Sequence, residues 1–190
     1  MKQAKTLNQQ ELRRVLDHIS TRKHAARNRA MLLMTHWAGM RVGEVAALTW
    51  ADVIDSSGNI KTEIRLSATQ TKGNDTRTVL LSERLRKELA VYVKSQKLRD
   101  INHSFFSTQK ETRRGFTANT LAQHFYHLYK AAGIEGASSH SGRRTFITNL
   151  AAKGVGVRVL MTLAGHKNIS TTQVYIDVND NMLKAAIELA

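Results

Sequence analysis

The apolar residues change their spacing twice along this chain, and those two changes constrain the fold more than any single residue does. Up to Leu48 they recur at helical intervals. Leu12, Val15, Leu16 and Ile19 share one face of a first helix that Thr6 or Asn8 can cap. Ala30, Leu33, Met34 and Trp37 form the inward face of a second helix over 24–37, which Gly39 ends, and a short third helix follows from Val42 to Leu48. Between 50 and 81 the period shortens to two. Trp50, Val53 and Ile54 precede a Ser56-Ser57-Gly58-Asn59 turn, and Ile60, Thr62, Ile64 and Leu66 then alternate with Lys61, Glu63 and Arg65. A second turn, Lys72-Gly73-Asn74-Asp75, leads into 76–81. The helical period then returns over 83–97, 117–132, 141–153, 156–164 and 180–189, with a loop over 100–116 that holds Phe105 and Phe106. The pattern predicts a single α+β domain over 1–190, mainly α with a small three-stranded antiparallel β-sheet. With no proline in the chain, glycine supplies the punctuation.

Composition narrows the function. Lys and Arg number 29 against 15 Asp and Glu, a formal net charge of +14. Such an excess attracts a polyanion, either nucleic acid or an anionic membrane surface. There is no cysteine, which removes disulfides, thiolate metal sites and cysteine nucleophiles. Met1 to Lys5 is polar, and the longest strongly apolar stretch, Ala30 to Met34, is far too short to span a bilayer. These features read as a soluble cytoplasmic protein with no membrane partner.

Several short patterns carry chemistry, although each taken alone is commonplace. His140 and Arg143 lie one turn apart at the start of a helix, where free N–H groups attract anions. Gly165 is a natural helix stop that presents His166 at a defined turn. Tyr175 stands nine residues further on, four or five residues into a short helix. Arg41 and Glu44 have the spacing of an ordinary helical ion pair, and Lys72 sits in a hairpin turn where a basic residue is usual. His124 and His127 flank Phe125 and Tyr126 on an amphipathic helix, which reads as packing and not as a metal pair.

Together the order Arg41, Lys72, His140-x-x-Arg143, Gly165-His166, Tyr175 resembles the signature of the tyrosine recombinase (phage integrase) family. The likeness runs from Thr6-Leu7 to Asp177, and its stretches are 38–44, 71–74, 140–143 and 163–175. It implies the catalytic domain of a site-specific recombinase that cleaves and rejoins double-stranded DNA through a 3′-phosphotyrosine. The resemblance makes Tyr175 the nucleophile, with Arg41, Arg143 and His166 on the scissile phosphate. It gives His140 an assisting role and makes Lys72 the acid for the 5′-hydroxyl. The chemistry fits those residue types: arginine forks match two phosphate oxygens and stay charged, and a covalent link conserves bond energy without a cofactor or metal. The implied partners are DNA and further copies of the chain, monomeric when free and assembled on DNA, in a bacterial, phage or plasmid setting. Two alternatives share much of this signature: a type IB topoisomerase, and a non-catalytic DNA-binding module of the same fold.

The sequence departs from the family at two positions. Arg144 stands where a histidine is usual, and Gly142 where a larger apolar residue is usual. Most members also precede this domain with a helical DNA-binding domain, so the resemblance reads the chain as a short form or a piece of a longer one. Met182, Leu183, Ala186, Ile187 and Ala190 form an apolar stripe near the end. That stripe packs either on its own domain or, as family members commonly do, on a neighbouring protomer.

Overall fold

A computed structural model describes residues 3–71, 74–97, 100–108, 114–176, 183, 187 and 188. Helix α1 (Gln9–Ser20) is capped by Asn8 and not by Thr6: Asn8 Oδ1 accepts from the Glu11 N–H at 2.8 Å, and Glu11 Oε2 accepts from the Asn8 N–H at 3.0 Å. This reciprocal box satisfies donors that a helix start otherwise leaves bare. Helix α2 (Ala25–Trp37) is the axis of the domain. Ala30, Met31, Leu32, Leu33 and Met34 are all buried, so the helix is apolar around most of its circumference and must be wrapped. Helices α1, α5 (Glu83–Lys94) and α7 (Ser141–Ala152) wrap it. Trp37, expected inside, is half-buried at the helix end, with the Arg84 guanidinium 3.6 Å from its ring centroid.

After α3 (Val42–Ala46) the structure corrects the expected sheet, which has two strands and not three. Residues 50–53 form a helical turn, α4 (Trp50–Val53), because Asp52 Oδ2 accepts from both the Thr49 N–H (2.8 Å) and the Thr49 hydroxyl (2.9 Å). The expected first strand shrinks to one antiparallel bridge between Ile54 and Ile60. Strands β1 (Glu63–Leu66) and β2 (Arg77–Leu80) pair antiparallel in the register Glu63–Leu80 to Leu66–Arg77, with a 3₁₀ turn at Ala68–Gln70 between them. The pleat sends Ile64, Leu66 and Val79 into the core. The loop over 100–108 is anchored by Phe105 and Phe106, which pack edge-on and tilted against Trp50 and Tyr92.

The C-terminal half is helical: α6 (Ala118–Ala131), α7, α8 (Val157–Ala164) and α9 (Ile169–Gln173). Helix α7 crosses α2 so closely that a Cβ on Gly142 would lie 2.8 Å from Thr35 Cβ and 2.9 Å from His36 Cδ2. Glycine at this departure from the family pattern is therefore a packing requirement. The short helix expected to carry Tyr175 ends at Gln173, and Tyr175 follows in a turn. The expected helix over 180–189 falls almost wholly outside the described residues; Leu183 and Ile187 are described and exposed. No described helix is long and apolar enough to cross a membrane.

Candidate active site

The end of α8 organises the site. The last carbonyls of a helix have no partner within it and carry the negative end of its dipole. Here three consecutive ones each accept from a different arginine. Arg77 Nη2 donates to the Leu163 carbonyl at 2.9 Å, Arg143 Nη2 to the Ala164 carbonyl at 2.5 Å, and Arg41 Nη2 to the Gly165 carbonyl at 3.1 Å. The three arginines come from remote segments: Arg41 precedes α3, Arg77 opens β2 and Arg143 lies in the first turn of α7.

One buried carboxylate ties two of them together. Glu44 is 1% exposed, and its Oε1 accepts from Arg41 Nη1 at 2.8 Å while both its oxygens accept from Arg77 Nη1 at 3.0 Å. Its Oε2 also takes the Arg41 backbone N–H at 2.8 Å. Arg143 pairs with no carboxylate among the described residues; its Nη1 donates instead to the Gly39 carbonyl at 2.7 Å. Three guanidinium charges thus face one carboxylate, and the surplus is positive and largely desolvated. Burial, then Arg41 and Arg77, pull the Arg143 pKa down to about 9, which still leaves it charged at neutral pH. Such a site favours an anion strongly, because the fields of its donors are little screened.

Gly165 closes α8 in the left-handed conformation at φ +62°. A Cβ there would meet Arg77 Cδ at 2.5 Å, so this turn needs glycine for its backbone and for the arginine beneath it. The turn delivers His166, which is buried, with its Nδ1 2.9 Å from Thr172 Oγ1. Burial first, then Arg143, Arg41 and Arg77, hold the His166 pKa near 4, so the ring is neutral at neutral pH. The Tyr175 ring stacks on it at 5.8 Å between centroids and 19° between planes. The Arg144 guanidinium carbon lies 5.4 Å from the Tyr175 centroid, which gives the second departure from the family pattern a place beside the tyrosine. The Tyr175 backbone is held by its N–H on the Thr172 carbonyl (3.0 Å) and by its carbonyl on Thr148 Oγ1 (3.4 Å).

Arg41, Arg143, His166 and Tyr175 therefore meet through direct contacts or shared neighbours. His140 lies at the N-cap of α7, one turn before Arg143; it is exposed, and its ring makes no hydrogen bond with the cluster among the described residues. Lys72 lies outside the described residues. Its hairpin reaches the site nonetheless: Asp75 pairs with Lys167, next to His166, and Thr71 Oγ1 donates to the Asp75 carbonyl at 2.7 Å. A groove of about 690 Å³ runs between that hairpin and the α8–α9 turn, past Arg41, Arg77 and His166. Among the described residues no group of three His, Cys, Asp or Glu side chains could hold a metal ion. His124 bonds Asn28 Oδ1 through Nε2 at 3.2 Å, as packing predicts.

Sequence reasoning passed over Arg77 and gave Glu44 only a surface-type pairing. The signal for Arg77 was faint: one basic residue at the mouth of a strand, 33 positions from the carboxylate it binds.

A mainly helical domain with a two-stranded sheet, folding arginines around the end of a helix beside a tyrosine, has the architecture of a tyrosine recombinase catalytic domain. The profile of the phage integrase family matches residues 5–182, and the chain belongs to that family. It is 32% identical to the tyrosine recombinase XerA of Thermococcus kodakarensis over 98% of this chain and 62% of that one. It is 28% identical to the tyrosine recombinase XerD of Rickettsia conorii, over 93% of this chain and 61% of that one. A crystal structure of XerA recombinase superposes with a TM-score of 0.78 at 26% identity, covering 100% of this chain and 64% of the other. The Tn1549 transposon integrase, in complex with a circular-intermediate DNA, shares the fold with a TM-score of 0.75 at 20% identity, over 100% of this chain and 67% of that one. The chain spans about 62% of the length of the curated relatives it matches.

Proposed function

We propose that this chain is the catalytic part of a site-specific DNA recombinase that cleaves and rejoins strands through a 3′-phosphotyrosine. The observation that carries the reading is the set of three arginines on the Leu163, Ala164 and Gly165 carbonyls, with His166 and Tyr175 stacked beside them. Arg41 and Arg143 hold the scissile phosphate, and His166 donates to one of its non-bridging oxygens. The Tyr175 oxygen attacks phosphorus, the P–O5′ bond breaks, and Lys72 gives a proton to the leaving 5′-oxygen. His140, at the exposed start of α7, assists in moving the Tyr175 proton. Rejoining reverses these steps with a 5′-hydroxyl as nucleophile, so no energy source is consumed.

The family, the names of the relatives and the DNA complexes of the Tn1549 integrase all support this reading. So does the net charge of +14, which suits a phosphate backbone. The free chain is monomeric and assembles on DNA, with the apolar positions around Leu183 and Ile187 available for a neighbour. The test is a nicked suicide duplex carrying the DNA that flanks the gene. The expected product is a covalent protein–DNA band that persists in EDTA, since side chains supply the positive charge. Relaxation of supercoiled plasmid with no exchange between sites would favour a topoisomerase, and absence of any covalent band would favour a binding module.

A further inference from the structure

Thr172 is completely buried, and its hydroxyl touches one polar atom among the described residues, His166 Nδ1 at 2.9 Å. A hydroxyl both donates and accepts, and a buried O–H that finds no acceptor costs about 1–3 kcal/mol. If Nδ1 carried the imidazole proton, it would donate to Thr172 and strand that O–H. If Nδ1 is bare, it accepts the O–H and nothing is stranded. A neutral imidazole carries one proton, so the bare Nδ1 leaves that proton on Nε2.

We propose that Thr172 is a positioning residue that locks His166 in the tautomer whose Nε2 bears the proton, making it a hydrogen-bond donor toward the groove. The proposal rests on the reading that the scissile phosphate occupies that groove. Three observations support it. His166 lines the groove, and its Nε2 is not among the buried atoms without a partner, so that edge of the ring remains reachable. The charged groups around the ring are Arg143 from α7, Arg41 before α3 and Arg77 on β2, while Glu44 is occupied by Arg41 and Arg77. Among the described residues, Asp75, the carboxylate of the same groove, pairs with Lys167, so the tautomer question stays a choice between two nitrogens. Finally, the same residue reaches the nucleophile: the Thr172 carbonyl accepts the Tyr175 backbone N–H at 3.0 Å. One residue thus sets the donor nitrogen by its side chain and the height of the tyrosine by its backbone.

The other tautomer, with a proton on Nδ1 and a bare, accepting Nε2 on His166, predicts different spectra and kinetics. Long-range ¹H–¹⁵N correlation spectra of the full chain labelled at histidine separate protonated from bare ring nitrogens, and His166→Asn identifies the resonances by their loss. The wild type should show a protonated Nε2 and a bare Nδ1. Thr172→Val keeps the shape and removes the hydroxyl; it should give a mixture of tautomers. Its single-turnover cleavage on the nicked duplex should slow roughly 10- to 100-fold, as for loss of an orienting partner, at unchanged DNA affinity. Thr172→Ser should restore both the tautomer and the rate. A wild-type ring protonated at Nδ1 overturns the proposal, as does a Thr172→Val protein with the wild-type tautomer and rate. Should Thr172→Val fail to fold, the wild-type and Thr172→Ser spectra decide. The spectra are taken without DNA, so a missing covalent band in the wild type defeats the recombinase reading and leaves the tautomer assignment standing.

Discussion

His36 and His166 are both buried, both bonded to a hydroxyl and both neutral, yet they belong to regions built for opposite ends. His36 sits where α2 meets α6 and α7, its Nε2 3.1 Å from Tyr129 Oη, and burial alone pushes its pKa to about 3. His166 sits at the end of α8, where Arg143, Arg41 and Arg77 add to burial and the pKa is held near 4. The first region is sealed: the Tyr129 hydroxyl meets Nε2, and Nδ1 is buried with no hydrogen-bond partner among the described residues. The second keeps an excess of positive charge beside an open groove. A perturbed histidine alone does not mark a site; the uncompensated charge around it does.

Substitutions can break this comparison, beginning with the largest effect. Tyr175→Phe should abolish the covalent band altogether while DNA affinity and melting temperature stay near wild type, since one hydroxyl and no charge is removed. Covalent product from this variant would assign the nucleophile elsewhere. Arg143→Ala should slow cleavage by ~10²–10³, the usual loss for a donor aimed at developing charge. It should also lower stability, because the Gly39 and Ala164 carbonyls lose their donor. Wild-type single-turnover rates would remove Arg143 from the site.

Tyr129→Phe tests the sealed region. It removes the hydroxyl from His36 as Thr172→Val removes it from His166, but here the cost should fall on stability, about 1–3 kcal/mol in denaturant unfolding, with cleavage by the folded protein unchanged. A rate defect without a stability defect would put His36 in the chemistry. The smallest effect is on pH. His36, His124 and His166 all have folded pKa values lowered from 6.5, to about 3, 4 and 4. Between those values and 6.5 the unfolded chain binds more protons, so stability falls as pH drops from about 6.5 toward 4 and is fully present above it. Replacing His36 with leucine should flatten the melting temperature over that range.

The parts of this molecule readable from sequence are those where one residue and its near neighbours decide the outcome. The helical period located α1, α2, α5 and α7, and Gly165-His166 and Tyr175 were identifiable because their family spacing is short. The sheet was over-read because Trp50, Val53 and Ile54 look strand-like, whereas Thr49 and Asp52 three positions apart are a helix-start signal that decides the local geometry. Arg77 and the full role of Glu44 were not legible, since their meaning lies in carbonyls and carboxylates brought together by the tertiary fold. Gly142 looked like a deviation until the Thr35 and His36 side chains showed what fills the space. Lys72 lies outside the described residues, and His140 stands apart from the cluster, so for these two the family signature remains the better guide.

The grip of three arginines on carbonyls 163, 164 and 165 has a consequence for how this protein can vary. The clamp reads the backbone and is indifferent to what Leu163 carries as a side chain, so point changes there should drift freely. A one-residue insertion or deletion anywhere between Val157 and Ala164 is another matter. It turns the helix end by about 100° and aims every carbonyl away from its arginine, at whatever position the gap falls. In this stretch, length is inherited more strictly than spelling.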